Sequence, residues 1–261
     1  MSSHRAGQIA FFTFLAAMLT FYGVVLVYNQ RNPNAFLTTD QIARAGTLER
    51  CRQFCLGYGL VPTGHLANDA KAFLREVKPE ADAETLEQML ADEQFIPAAS
   101  QASELIGQRA PDFVLQNDRG ESVSLKEISD RGPVVLVFYY GYWCNHCVAQ
   151  LFGLDEDLAK FQSLGAQVVA VSADPVEQTA ERFAQYGRFN FPVLADPDYR
   201  VANEYGVYRP AGEGETGNLL HATFLIDRTG KVTWVQLGEQ PWIDNKSLLV
   251  LLARQSEPTQ P

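Results

Sequence analysis

Apolar positions are distributed along the chain in three different ways. The first is a continuous run: Ile9 to Tyr28 is twenty residues without a charged side chain. As a helix rising ~1.5 Å per residue, such a run covers the ~30 Å hydrocarbon core of a bilayer. Tyr22 and Tyr28 fall toward its C-terminal end, where amphipathic rings favour the interface, and the polar stretch Asn29-Gln30-Arg31-Asn32-Pro33 ends it. The run exceeds the 7–15 residues of a cleaved signal core, and no small-x-small cleavage site follows closely. Residues 1–30 are therefore expected to form a single transmembrane anchor. Because most residues follow the span, the bulk of the protein is expected on the extracytoplasmic, periplasmic side.

Residues 31–104 carry helical spacing and no strand alternation. Thr38-Thr39-Asp40-Gln41 fits a capping box, with Ile42, Ala45 and Leu48 on one face and Gly57 and Gly59 as stops. A second helix is predicted over Leu66–Val77 and a third from Asp82 to about Gln94, with Leu86, Met89 and Leu90 as its apolar stripe. The acids of residues 79–93, which include no base, read as a solvated face.

From residue 105 to 256 the pattern alternates between strands and helices. Asp112–Gln116 and Ser122–Leu125 flank the turn Asn117-Asp118-Arg119-Gly120 and predict a hairpin. Pro133–Tyr139 is a continuous, β-branched apolar run, as a buried central strand should be. A helix over Cys147–Leu164, a strand over Ala166–Ser172 and a helix over Pro175–Tyr186 complete a βαβ unit with a parallel pair. Phe191–Ala195 reads as another strand. Ala222–Ile226 and Lys231–Leu237 form a hairpin across Asp227-Arg228-Thr229-Gly230, and Ile243–Ala253 is a last helix. The expected fold class is α/β, a mixed sheet flanked by helices, with residues 257–261 as a tail.

Composition narrows the function. Across 261 residues, 46% are hydrophobic and 31 acidic side chains stand against 21 basic ones. Disorder is excluded, and the acidic balance argues against nucleic acid as a partner, which needs a cationic face. No cofactor motif is read. Four cysteines are too few for a disulfide framework and enough for chemistry.

Two of them stand where the central strand hands over to a helix, in Trp143-Cys144-Asn145-His146-Cys147. A Cys-x-x-Cys in that place puts a thiol at a helix N-terminus, where unpaired N–H groups and the helix dipole stabilise thiolate. The second thiol, one turn on, can resolve a mixed disulfide, and His146 between them adds positive charge. The expected partner is a thiol or disulfide protein, with peroxide as a second candidate substrate. Cys51 and Cys55, spaced i, i+4, share a face if their helix continues. Packing, a resolving role and metal binding with His65 all remain open for them.

Several segments resemble the alkyl hydroperoxide reductase and thiol-specific antioxidant (redoxin) branch of the thioredoxin-fold superfamily: Ile106–Phe113, the loop from Phe138 to Cys147, Pro192–Asp198, Tyr205-Gly206-Val207 and Ala222–Asp227. The resemblance implies a thioredoxin-like, peroxiredoxin-like fold and antioxidant thiol chemistry. Typical peroxiredoxins read Pro-x-x-x-Thr-x-x-Cys in the loop. Here Cys147 takes the place of the peroxide-reactive thiol, Cys144 that of the Thr and Tyr140 that of the Pro. In the thioredoxin branch Cys144 is instead the exposed nucleophile and Cys147 the resolver, with Trp143 and Tyr142 shielding the thiol. His221 stands where one branch has a cis-proline and the other an arginine. The resemblance sets it beside the thiols, as an acid/base or as a third ligand in a copper-binding SCO-like alternative. Cys144, Cys147, His146, Trp143 and His221 are thus the expected catalytic residues.

Overall fold

The computed structural model describes Met18, Thr20, Thr63, His65–Val77 and residues 84–141, 145–209 and 218–256. The side chains of Asn145, His146, Arg209, Asn218 and Ser256 stand outside that description. So do the anchor expected over Ile9–Tyr28, apart from Met18 and Thr20, and the helix expected after Thr38. Among the described residues no helix is long and apolar enough to cross a membrane.

A seven-stranded mixed sheet organises residues 114–238. Its strands are β1 (Val114–Asn117), β2 (Ser122–Ser124), β3 (Val134–Tyr139), β4 (Gln167–Ser172), β5 (Val193–Ala195), β8 (His221–Ile226) and β9 (Val232–Gly238), in the order β2-β1-β5-β4-β3-β8-β9. β3 runs parallel to β4 and β4 to β5, whereas β1 pairs antiparallel with β2 and β5, and β8 antiparallel with β3 and β9. A separate two-stranded ribbon joins β6 (Tyr208–Arg209) and β7 (Asn218–Leu219). The hairpins and the parallel pair match the sequence expectation.

The all-apolar β3 is buried at every position because helices cover both faces of the sheet. Val135, Val137 and Tyr139 point into one core with α1 (Leu66–Val77), α4 (Asn145–Glu156) and α8 (Asn245–Ser256). Val134, Leu136 and Phe138 point into the other, with α3 (Leu125–Ser129) and α7 (Arg200–Glu204). The pleat thus distributes one hydrophobic run between two cores.

Three local expectations are corrected. The single helix predicted over Cys147–Leu164 is two, α4 and α5 (Leu158–Ser163), broken at Asp157. Asn245 lies at the break: its Nδ2 donates at 2.8 Å to Asp157 Oδ2 and at 2.8 Å to the Gly153 carbonyl, which also accepts from the Asp157 N–H at 3.2 Å. The acidic helix narrows to α2 (Leu86–Ala91), because Thr85 and Gln88 close a capping box that starts it there. Its acids are not purely solvated: Lys246 Nζ of α8 reaches Asp92 at 2.8 Å and Glu84 at 3.2 Å. Lastly, Ala98–Gln101 is not helical and lies along β9, with Gln101 N donating to the Val235 carbonyl at 2.9 Å and Trp234 Nε1 to the Ala98 carbonyl at 2.9 Å.

The helix predicted over Leu66–Val77 forms with those bounds. Its i, i+3, i+4 residues Ala70, Phe73 and Leu74 are buried in the core shared with α4, so α1 and α2 belong to the same compact unit as the sheet. α6 (Val176–Tyr186) lies on the β4–β5 crossover.

Candidate active site at the end of the central strand

The C-terminal edge of a parallel pair, where strands hand over to helices, is where α/β sheets place their chemistry. Here β3 ends at Tyr139, Tyr140 and Gly141 continue it, and Cys147 lies in the first turn of α4. Antiparallel β8 begins at this same edge: Phe138 pairs with Ala222, which sets His221 beside the end of β3.

Cys147 is 0% exposed and disulfide-bonded. The other three cysteines, Cys51, Cys55 and Cys144, lie outside the described residues. His221, expected to be close to the thiols, is 2% exposed, with Nε2 3.0 Å from Cys147 Sγ. Its ring also lies 4.4 Å from that of Tyr140, tilted by 52°. The imidazole is thus clamped between an aromatic face and a sulfur. Protonated at Nε2, it donates to sulfur and favours a thiolate; unprotonated there, it can take the thiol proton.

A second polar pair lies beneath this contact. Gln150, one turn after Cys147, donates from Nε2 to Thr223 Oγ1 at 2.8 Å, and Thr223 shares the His221 face of β8. Gln150 Oε1 is buried without a hydrogen-bond partner among the described residues. An unsatisfied carbonyl of this kind costs roughly 1–3 kcal/mol.

The loop itself is held from the far side. Gly141 adopts φ 129, and a Cβ there would sit 2.7 Å from both carboxylate oxygens of Asp174. Only glycine meets both demands. Asp174 is 1% exposed at the end of β4, and its backbone N–H donates to Ser172 Oγ at 3.2 Å. Burial pushes the Tyr139 hydroxyl well above its usual range, and the Asp174 and Tyr186 side chains add to that. Burial likewise raises Tyr186, with Asp174 contributing.

Of the five residues expected at the site, the structure brings Cys147 and His221 into contact. His146 lies in the first turn of α4 with its side chain undescribed, and Trp143 and Cys144, like Tyr142, are outside the described residues. His65 is exposed at the start of α1. Sequence reasoning missed Gly141, Gln150, Asp174 and Thr223. The spacing of Gln150 after Cys147 was a usable signal; the others come together only through strand pairing.

The profile of the AhpC/TSA family matches residues 106–235. The thiol-disulfide oxidoreductase ResA of Bacillus thuringiensis (strain Al Hakam) is 32% identical over 136 residues, which cover 52% of this chain and 71% of the relative. ResA of Geobacillus thermodenitrificans (strain NG80-2) is 31% identical over 144 residues, covering 55% and 76%. Among solved structures, the peroxidoxin BcpB of Mycobacterium tuberculosis shares 27% identity at a TM-score of 0.52, covering 62% of this chain and all of that one.

Proposed function

The chain belongs to the AhpC/TSA family and is an oxidoreductase, and from that premise we propose that it exchanges disulfides with protein thiols through the Cys144/Cys147 pair. The observation that carries this reading is the contact of His221 Nε2 with the buried, disulfide-bonded Cys147. A fully buried thiol is poorly placed to attack a protein substrate and well placed to resolve a bond formed by its neighbour.

In the reducing direction, the Cys144 thiolate attacks a substrate disulfide. A bond forms between Cys144 and one substrate sulfur, and the other sulfur leaves as a thiolate. Cys147, giving its proton to His221 Nε2, then attacks the Cys144 sulfur. The bond to substrate breaks, the substrate departs as a dithiol after taking up protons, and the Cys144–Cys147 disulfide remains. Two electrons pass from enzyme to substrate; the reverse sequence oxidises a dithiol. His146 and Trp143 belong to the same loop, where a cationic imidazole lowers a thiol pKa and an indole shields the sulfur. Residues 105–256 form the redoxin domain, residues 31–104 the segment that precedes it, of which α1 packs on α4, and residues 1–30 an anchor that holds the protein on the extracytoplasmic side.

The test is capture of intermediates by the full-length protein. Cys147→Ser should accumulate a mixed disulfide between Cys144 and substrate protein, and Cys144→Ser should not. The opposite pattern would reassign Cys147 as the attacking thiol. Peroxide is the substrate in that second reading, which is supported by the position of Cys147 in the family loop. Stopped-flow peroxide consumption no faster than that of free thiol eliminates it.

A further inference from the structure

Directly opposed residues of an antiparallel pair point to the same side of a sheet. The face of β8 that presents His221 and Thr223 to α4 therefore continues onto β9 through their register partners Gly238 and Gln236. Gly238 lies within about 4.5–5.5 Å, Cα to Cα, of His221. A Cβ built on Gly238 would make an ordinary van der Waals contact with the Gln240 backbone, at 3.8 Å, so the glycine borders the space above it together with the β9–α8 connection.

That space belongs to a cavity of about 520 Å³, within the range of ordinary ligand sites. Phe73 and Val77 of α1 form one wall, and Pro241, Trp242 and Ile243 of the β9–α8 connection form the other. Its charged lining residues, Glu239 and Asp244, are both acids. Asp244 is held by the start of α8, accepting from Ser247 N at 3.0 Å and Ser247 Oγ at 2.6 Å, while Glu239 is exposed at the rim. Every lining residue falls outside the 106–235 stretch that matches the family. Its α1 wall thus comes from the segment that precedes the redoxin domain, and its other wall from the β9–α8 connection within it.

We propose that this cavity seats the polypeptide substrate, as an extended segment carrying apolar and basic residues next to the cysteine to be exchanged. The apolar walls take the hydrophobic side chain, and the two carboxylates, in a protein of net charge −10, select a basic neighbour over an acidic one. Because the cavity is lined by Gly238, the register partner of His221, a segment seated there lies against the strand end that carries the imidazole. This inference rests on the disulfide-exchange reading for its chemistry and on the cavity alone for binding.

The test separates the two. The oxidised full-length protein is titrated with a cysteine-free peptide alternating leucine and lysine, and with its counterpart alternating leucine and glutamate, following tryptophan fluorescence. The lysine peptide should give a saturable change that is lost in Trp242→Phe. It should bind at least about tenfold more tightly than the glutamate peptide, and Glu239→Lys should remove most of that preference. Equal affinities, no saturable change, or a change explained by self-association in sedimentation would overturn the proposal. Reduction of the disulfide by dithiothreitol is followed in the same proteins as the separate readout of dithiol–disulfide cycling. Peptide preference without reversible dithiol–disulfide cycling would sink the exchange reading and leave the cavity a peptide site. Cycling without peptide preference would sink the cavity proposal alone.

Discussion

His221 Nε2 and Cys147 Sγ lie 3.0 Å apart although 74 residues separate them in sequence. The contact exists because β8 returns antiparallel to the central strand and begins where that strand ends. Replacing the imidazole therefore changes the chemistry of the sulfur while leaving the loop sequence intact. In the reduced protein, His221→Ala should move titration of the Cys147 thiolate to higher pH, through loss of a charge-assisted hydrogen bond. Thiolate ultraviolet absorbance against pH in a Cys144→Ser background is the measurement. An unchanged titration would mean that the contact is packing only.

Gly141 is the backbone counterpart of that contact. Gly141→Ala should destabilise the protein by about 1–3 kcal/mol from backbone strain, with more from the clash against Asp174. Asp174→Ala should relieve the clash and leave the strain. In chemical denaturation the double variant should then be more stable than the sum of the single losses.

The packing of α1 on α4 puts Leu74 Cδ1 3.4 Å from where a Gly153 Cβ would be. Leu74→Ala should cost about 2–5 kcal/mol. By loosening the packing of α1 on α4 within two turns of Cys147, it should also quicken alkylation of Cys147 in the reduced protein. Thermal unfolding and timed alkylation read the two effects.

Two titrations set opposite pH limits. A hydrogen bond from Lys246 holds the Asp92 carboxyl below its ordinary 3.8, so the α2–α8 contact is present above that value and is lost as pH falls through the lower, folded-state value. In Lys246→Met, amide exchange in α2 should be faster at neutral pH and less sensitive to acid. Burial raises the hydroxyls of Tyr139, Tyr186 and Tyr205 above their ordinary 10.0. Their contribution is complete below pH 10 and declines as pH rises toward the folded-state values, since the unfolded polypeptide releases those protons first. Denaturation midpoints across alkaline pH should fall from about pH 10 upward.

The elements with strong local signals were legible. The β3 run, the hairpin at Asn117–Gly120 and helix Leu66–Val77 each carry their period or turn chemistry within a few residues. The break at Asp157 was not, and the side chain bonded to Asp157 there, Asn245, is 88 residues away. Nor was the second role of the acids around α2, two of which pair with a lysine that sequence spacing places in another element.

The same division holds for the site. Sequence alone placed Cys147 at a strand-to-helix junction, since an apolar run, a glycine and a helical period are local facts; the family resemblance set His221 near it. Only the tertiary structure decided that Cys147 is wholly buried, that Gln150 reaches Thr223, that Asp174 backs Gly141, and that Phe73 and Trp242 wall one cavity. Those relations depend on which strands pair and in what register, and pairing is fixed by burial summed over the whole sheet rather than by any segment's own pattern.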